Sequence, residues 1–220
     1  MGKIKAVLFD MDGVLIEAGD WHYEALNRAL GLFGYEITRT EHLSGYNGLP
    51  TLIKLKKLSA EKGLPEKLHS FINEMKQKYT VDIVHSQCRP RFSHEFALSK
   101  LKAEGYRMAC CSNSIRMTME MMITRAKLND YLEFLISNQD VQKPKPDPEI
   151  YIKAMERMGL APDACLIVED NENGIKSALA SGGHLLTVKD VHDVTYDNIK
   201  ARIAEIEEGV SVDEAEGMVA

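Results

Sequence analysis

Ile4-Lys5-Ala6-Val7-Leu8-Phe9, followed at once by Asp10-Met11-Asp12-Gly13, is the stretch on which the fold turns. A short apolar run that stops at two acids and a glycine predicts a strand buried on both faces, the pattern of a parallel sheet. Runs of the same kind recur at Arg107–Cys111, Glu133–Ile136, Cys165–Val168 and His184–Val188. Helical spacing lies between them: Phe96, Leu98 and Leu101 share one segment, and Ile150, Ala154 and Met158 stand four apart on another. Strands alternating with helices imply right-handed crossovers, hence a doubly wound, Rossmann-like α/β sheet.

The rhythm breaks between Ile16 and about Gln87, where helical patterns run on without a strand. Leu26, Ala29, Leu30 and Phe33 have the spacing of one helical face, and Gly34 is placed to end that helix. Pro50 opens a second helix with Leu52, Leu55 and Leu58; Pro65 opens a third with Leu68, Phe71, Ile72 and Met75. Residues 16–87 are therefore expected as an inserted helical cap domain, with 1–15 and 88–210 as the core. The last ten residues, 211–220, are acidic and small, and are expected to fray.

Composition narrows the function classes. The 220 residues are 45% hydrophobic and 27% charged, which excludes a disordered, collagen-like or disulfide-stapled chain. A formal charge of -6 gives no global attraction for nucleic acid or anionic lipid, so any polyanion must meet a local site. No run is long and apolar enough for a membrane span, and no signal-peptide pattern occurs. Four cysteines without CxxC spacing fit free thiols in a reducing compartment, and a cytoplasmic location is expected.

Open α/β sheets collect ligands outside the carboxyl ends of their strands. Four polar clusters stand there: Asp10-Met11-Asp12-Gly13, Ser112-Asn113-Ser114, Lys143-Pro144-Lys145-Pro146-Asp147 and Glu169-Asp170-Asn171. Asp10, Asp12, Glu169 and Asp170 cannot crowd together ionised without a cation. All-oxygen ligands favour a hard ion such as Mg²⁺, which usually shares a substrate phosphate oxygen, so a small phosphorylated metabolite is the expected partner. Ser112, Asn113 and Lys143 would cradle the remaining phosphoryl oxygens. Lys143 and Lys145 compete for that role.

Phe9-Asp10-Met11-Asp12-Gly13-Val14-Leu15 resembles the first signature of the haloacid dehalogenase-like phosphotransferases. Ser112-Asn113 resembles the second, the run from Lys143 to Tyr151 the third, and Val168-Glu169-Asp170-Asn171 with Gly174-Ile175 the fourth. The match spans Ile4 to about Val188. It implies Asp10 as nucleophile and Asp12 as general acid/base. It also implies Mg²⁺ held by Asp10, the Asp12 backbone carbonyl and Asp170, with Glu169 close by. The register of the third signature favours Lys143 as the lysine that binds the phosphoryl group with Ser112. The helical insertion is similar to the cap of the branch containing β-phosphoglucomutase and phosphoglycolate phosphatase.

Within that resemblance, His22 matches a histidine beyond the first signature although the hinge before it is altered, and it is a candidate for substrate or proton-transfer work. Tyr46 and Asn47 fall in a cap loop facing the crevice and are candidates for reading the substrate. The mutases carry an arginine in this loop to grip a second phosphate; Gly45-Tyr46-Asn47-Gly48-Leu49-Pro50 has none. Lys54 and Lys56 are out of register for a Schiff-base lysine, and the run Lys54, Lys56, Lys57 is expected as a solvated face, with steering of a substrate phosphate as the alternative reading. The expected function is a Mg²⁺-dependent phosphatase acting on a sugar or polyol phosphate through an aspartyl-phosphate. A phosphosugar mutase and a non-catalytic phosphosugar-binding protein are the alternatives. Oligomeric state is not legible.

Overall fold

A computed structural model of the chain describes residues 3–209, and the expected frayed tail, 211–220, lies outside the described residues. From β1 (Ala6–Phe9) the chain runs through α1 (Gly19–Gly31), the single turn α2 (Arg39–Glu41), α3 (Thr51–Lys62) and α4 (His69–Gln87). It returns through α5 (Phe92–Ala103), β2 (Arg107–Cys111), α6 (Arg116–Arg125), β3 (Phe134–Ile136) and α7 (Glu149–Met158). It ends with β4 (Cys165–Glu169), α8 (Glu172–Ser181), β5 (His184–Thr187) and α9 (Tyr196–Glu208). The five strands are parallel, in the order β3-β2-β1-β4-β5.

Period-two side-chain direction builds two layers from these runs. Val7, Phe9, Met108, Cys110, Leu166 and Val168 feed an apolar layer shared with α5, α6 and α9. Ala6, Leu8, Ala109, Cys111, Cys165 and Ile167 feed the other, with α7 and α8. The unbroken apolar pattern thus has its expected cause, a central sheet covered on both faces. Met119 and Met122 of α6 are core residues, and all four cysteines are buried free thiols. In the register, Phe9 lies beside Cys110 and Val168, so Asp10, Ser112 and Glu169-Asp170 leave the sheet at one edge.

The helical cap has its own apolar cluster, in which Leu26, Ala29 and Leu30 of α1 meet Ile37, Leu55, Leu58 and Ile72. Helix α1 stops at Gly31, before Phe33; Phe33, Leu52 and Phe71, expected on apolar faces, are partly exposed. The segments joining cap and sheet are tied by an ion pair between Glu17 and Arg91. His94 braces the same place, one ring nitrogen facing the Leu15 carbonyl and the other that of Val191. No helix among the described residues is long and apolar enough to cross a membrane.

Candidate active site

The loop after β1 is wound on one carbonyl: Met11 accepts the backbone N–H groups of Val14, Leu15 and Ile16. Gly13 sits at φ +94°, and a Cβ there would fall 1.9 Å from Asp170 Oδ2. Gly174, in the first turn of α8, makes the same allowance for Glu169, whose carboxylate a Cβ would meet at about 2.0 Å. With that space, Asp10, Glu169 and Asp170 each present an oxygen within 4.8 Å of the others. Burial and then the Glu169 charge push the Asp10 carboxyl well above the usual range. Burial pushes Asp170 up to about 6, the Asn171 amide partly offsetting it.

A single ammonium meets this cluster, and it is that of Lys145. Its Nζ lies 2.6 Å from both Asp10 Oδ1 and Glu169 Oε1 and 2.8 Å from the Cys111 carbonyl and the Tyr151 hydroxyl, so three N–H groups are shared among four acceptors. Burial alone would lower this lysine; the flanking carboxylates reverse the effect and raise it, keeping it charged. Tyr151 in turn donates to Glu169 Oε1. Lys143, the lysine favoured by register, is corrected: its side chain is 75% exposed and its nearest acid is Asp147, at 3.8 Å. The backbone of Lys145 is pinned by the Asn113 amide, which accepts its N–H and donates to its carbonyl; Lys143 instead hangs its N–H on Glu149. Three carboxylates against one ammonium leave two negative charges, and an all-oxygen donor set at this spacing fits a hard divalent cation.

The Asp12 side chain stands apart from that cluster. Its Oδ1 lies 3.2 Å from His22 Nε2, and its Oδ2 accepts from Ser114 at 2.8 Å and, more weakly, Ser112 at 3.4 Å. Burial would raise Asp12, but His22 and Ser114 outweigh it and hold the carboxyl below its usual range. On the far side of the imidazole, Lys76 of α4 lies 3.1 Å from Nδ1. A charged Lys76 donates there, which leaves Nε2 carrying the proton toward Asp12. Burial, then Lys76, lowers the His22 pKa.

The cap closes over these groups to leave a cavity of ≈ 220 Å³. Gly48 carries the closest approach: its carbonyl accepts from Asn113, and at φ +71° a Cβ would lie 2.8 Å from Asn171 Oδ1. Asn113 therefore spends its side chain on the Lys145 backbone and the cap. Asn47 lines the cavity, as expected. Tyr46 does not. It is buried in the cap cluster with its hydroxyl on Glu61 at 2.7 Å, because the wide π-type turn His42–Tyr46 rotates it inward. His42 and Lys76, which the sequence does not single out, line the cavity with His22 and Lys54. Lys54, expected on a solvated face, is buried, and Ser114 and Tyr151 take part in the site although their motifs alone assign them no role.

Comparison with known proteins agrees with this geometry. A family model described as haloacid dehalogenase-like hydrolase matches residues 7–188. A phosphorylated carbohydrates phosphatase of Thermotoga maritima is 26% identical over 184 residues, covering 81% of this chain and 82% of its own. A phosphoglycolate phosphatase of Thiobacillus denitrificans is 30% identical over 183 residues, covering 81% and 80%. Among solved structures, β-phosphoglucomutase from Clostridium difficile superposes with a TM-score of 0.80 at 19% identity, over 92% of this chain and 98% of that one.

Proposed function

Since the chain belongs to the haloacid dehalogenase-like hydrolases, we propose that it is a Mg²⁺-dependent phosphatase of small phosphomonoesters that works through an aspartyl-phosphate. The observation that carries this is the convergence of Asp10, Glu169, Asp170 and Lys145 at one sheet edge with a separate, hydrogen-bonded Asp12 facing them. The relatives named as phosphatases of phosphorylated carbohydrates and phosphoglycolate support the substrate class. Residues 16–87 serve as cap, and 1–15 with 88–210 as catalytic core. Buried free thiols fit a reducing, cytoplasmic setting.

Asp10, Asp170 and Glu169 would hold the ion, with the Asp12 backbone carbonyl, and it would supply positive charge to the phosphoryl oxygens. An Asp10 oxygen attacks phosphorus while the ester oxygen leaves. Lys145 neutralises Asp10 and Glu169 and keeps the nucleophile in place, and Ser112 stands beside the transferring group. Asp12 rests ionised; it takes up a solvent proton as the ester binds and passes that proton to the leaving alcohol, while the neutral His22 keeps its Nε2–H and orients the carboxyl by a hydrogen bond. Asp12 then takes a proton from the water that hydrolyses the aspartyl-phosphate. Ser114 and His22 fix its orientation for both duties.

Phosphate release from a panel of phosphorylated metabolites, with and without Mg²⁺, tests this reading. Release that stops on chelation and returns with Mg²⁺ is expected. Isomerisation of hexose phosphates without release would replace the phosphatase by a mutase, and neither activity would leave a binding protein.

A further inference from the structure

The wall opposite the acids carries charge that the proposed reaction does not use. Lys54 of α3 is only 7% exposed, and its ammonium bonds to none of the described residues; Asp12 across the cavity attracts it, while the Lys76 charge repels it. Beside it, His42 is 3% exposed with Nδ1 unpartnered. Among the described residues, each carboxylate lining the cavity, that of Asp10, Asp12 or Asp170, stands on the sheet side, while the cap side offers His22, His42, Lys54 and Lys76. Burying an ammonium and an imidazole nitrogen without partners is costly, and such groups collect where a ligand completes them.

We propose that Lys54 and His42, with Lys76 beside them, form a second anion site on the cap. The substrate is then a short phosphomonoester whose alcohol part carries another anionic group, a carboxylate or a second phosphate. The transferring phosphoryl group belongs at Asp10 and Lys145, so the charge met by Lys54 lies on the leaving-group side, where Asp12 stands. The small cavity keeps the two anions a few carbons apart. Cations from α3 and α4 thus do what an arginine in the loop 45–50 would otherwise do. The inference rests on the phosphatase reading for its word substrate, but the site itself does not depend on turnover.

The test uses three esters of one skeleton: glycerol 3-phosphate, 3-phosphoglycerate and glycerol 1,3-bisphosphate. The protein is expected to favour one of the two charged esters over the neutral one by about tenfold or more in kcat/KM, and which one identifies the second anion. Lys54→Gln is expected to shrink that preference by about tenfold, mainly through KM, and Lys54→Arg to keep it. Equal kcat/KM for all three esters, or an equal loss on all three in Lys54→Gln, overturns the site. Absence of phosphate release from every ester and from p-nitrophenyl phosphate refutes the phosphatase reading instead. Calorimetric titration with the same three compounds then decides the anion site without turnover: a preference for a charged ester that Lys54→Gln abolishes supports it, and equal affinities overturn it. Lys54→Met, which removes a buried charge, is expected to unfold no earlier than the parent, which separates a binding role from a structural one.

Discussion

The two walls of the cavity are built on opposite rules. On the sheet side each ionised group has its partners: Lys145 is held by two carboxylates, a carbonyl and a phenol, and Asp12 by an imidazole and a hydroxyl. On the cap side Lys54 and one nitrogen of His42 have none among the described residues. A satisfied buried network is rigid and fixes where a bond can be made; an unsatisfied one stores a cost that a bound molecule removes. The sheet side is organised for one chemical step before any ligand arrives. The cap side is organised for whatever that step is performed on.

The largest blow to this contrast falls on the nucleophile. Asp10→Asn should lower phosphate release by about 10⁴-fold or more with the circular dichroism spectrum unchanged, since an amide cannot form the aspartyl-phosphate. Turnover near the parental rate would show that Asp10 is not the attacking group.

Next come two lysines separated by one proline. Lys145→Ala leaves Asp10 and Glu169 buried without their ammonium and should cost about 3–5 kcal/mol of stability, besides most of the activity. Lys143→Ala, at an exposed side chain, should stay within about 0.5 kcal/mol and keep parental kinetics. Thermal melts and phosphate release on both variants, compared directly, decide the assignment; similar losses in the two would undo it.

That pair also shows how far the sequence carries. The acids were legible because each follows an apolar strand directly, and parallel register brings adjacent strand ends together whatever the loops do. Lys143 and Lys145 lie in a proline-rich loop, where only tertiary contacts, here the Asn113 amide, decide which side chain turns inward. The cap was legible as helices but not as a surface. Tyr46 was lost to a π-type turn that local spacing does not announce, and Lys54 to a lysine run in which Lys56 and Lys57 do remain more exposed. A buried lysine without a partner contradicts every local rule of composition, which is why such a residue is found by structure and marks function.

A smaller effect sharpens the sheet side. Mg²⁺ at about a hundred times its dissociation constant should stabilise the parent by about 2.7 kcal/mol, seen as a rise in Tm that chelation removes. Gly13→Ala places a methyl group in the space of the Asp170 carboxylate at a positive φ, and should abolish most of that rise. A full Mg²⁺ response in this variant would remove Asp170 from the proposed ligand set.

The smallest effect belongs to the cap wall and depends on pH. Burial lowers Lys54 to about 8 from 10.5, Asp12 opposing the shift, and burial with the Lys54 charge brings Lys76 to about 8 as well. Between about pH 8 and 10.5 the unfolded chain therefore holds protons that the folded chain has released, so folding stability from these groups rises with pH across that window. Below pH 8 the whole penalty is present. His22 and His42 face the same space but are both lowered, so they stay neutral there, and Asp12 stays ionised. Lys54→Met should thus melt above the parent at pH 7, by an amount on the order of 1–3 kcal/mol, and the gap should close toward pH 10. Lys76 is relieved of its neighbour in that variant and regains a higher pKa, which flattens the remaining slope. A gap that does not change between pH 7 and pH 10 would mean that Lys54 is not held charged against its surroundings, and the cap wall would then differ from the sheet wall only in shape.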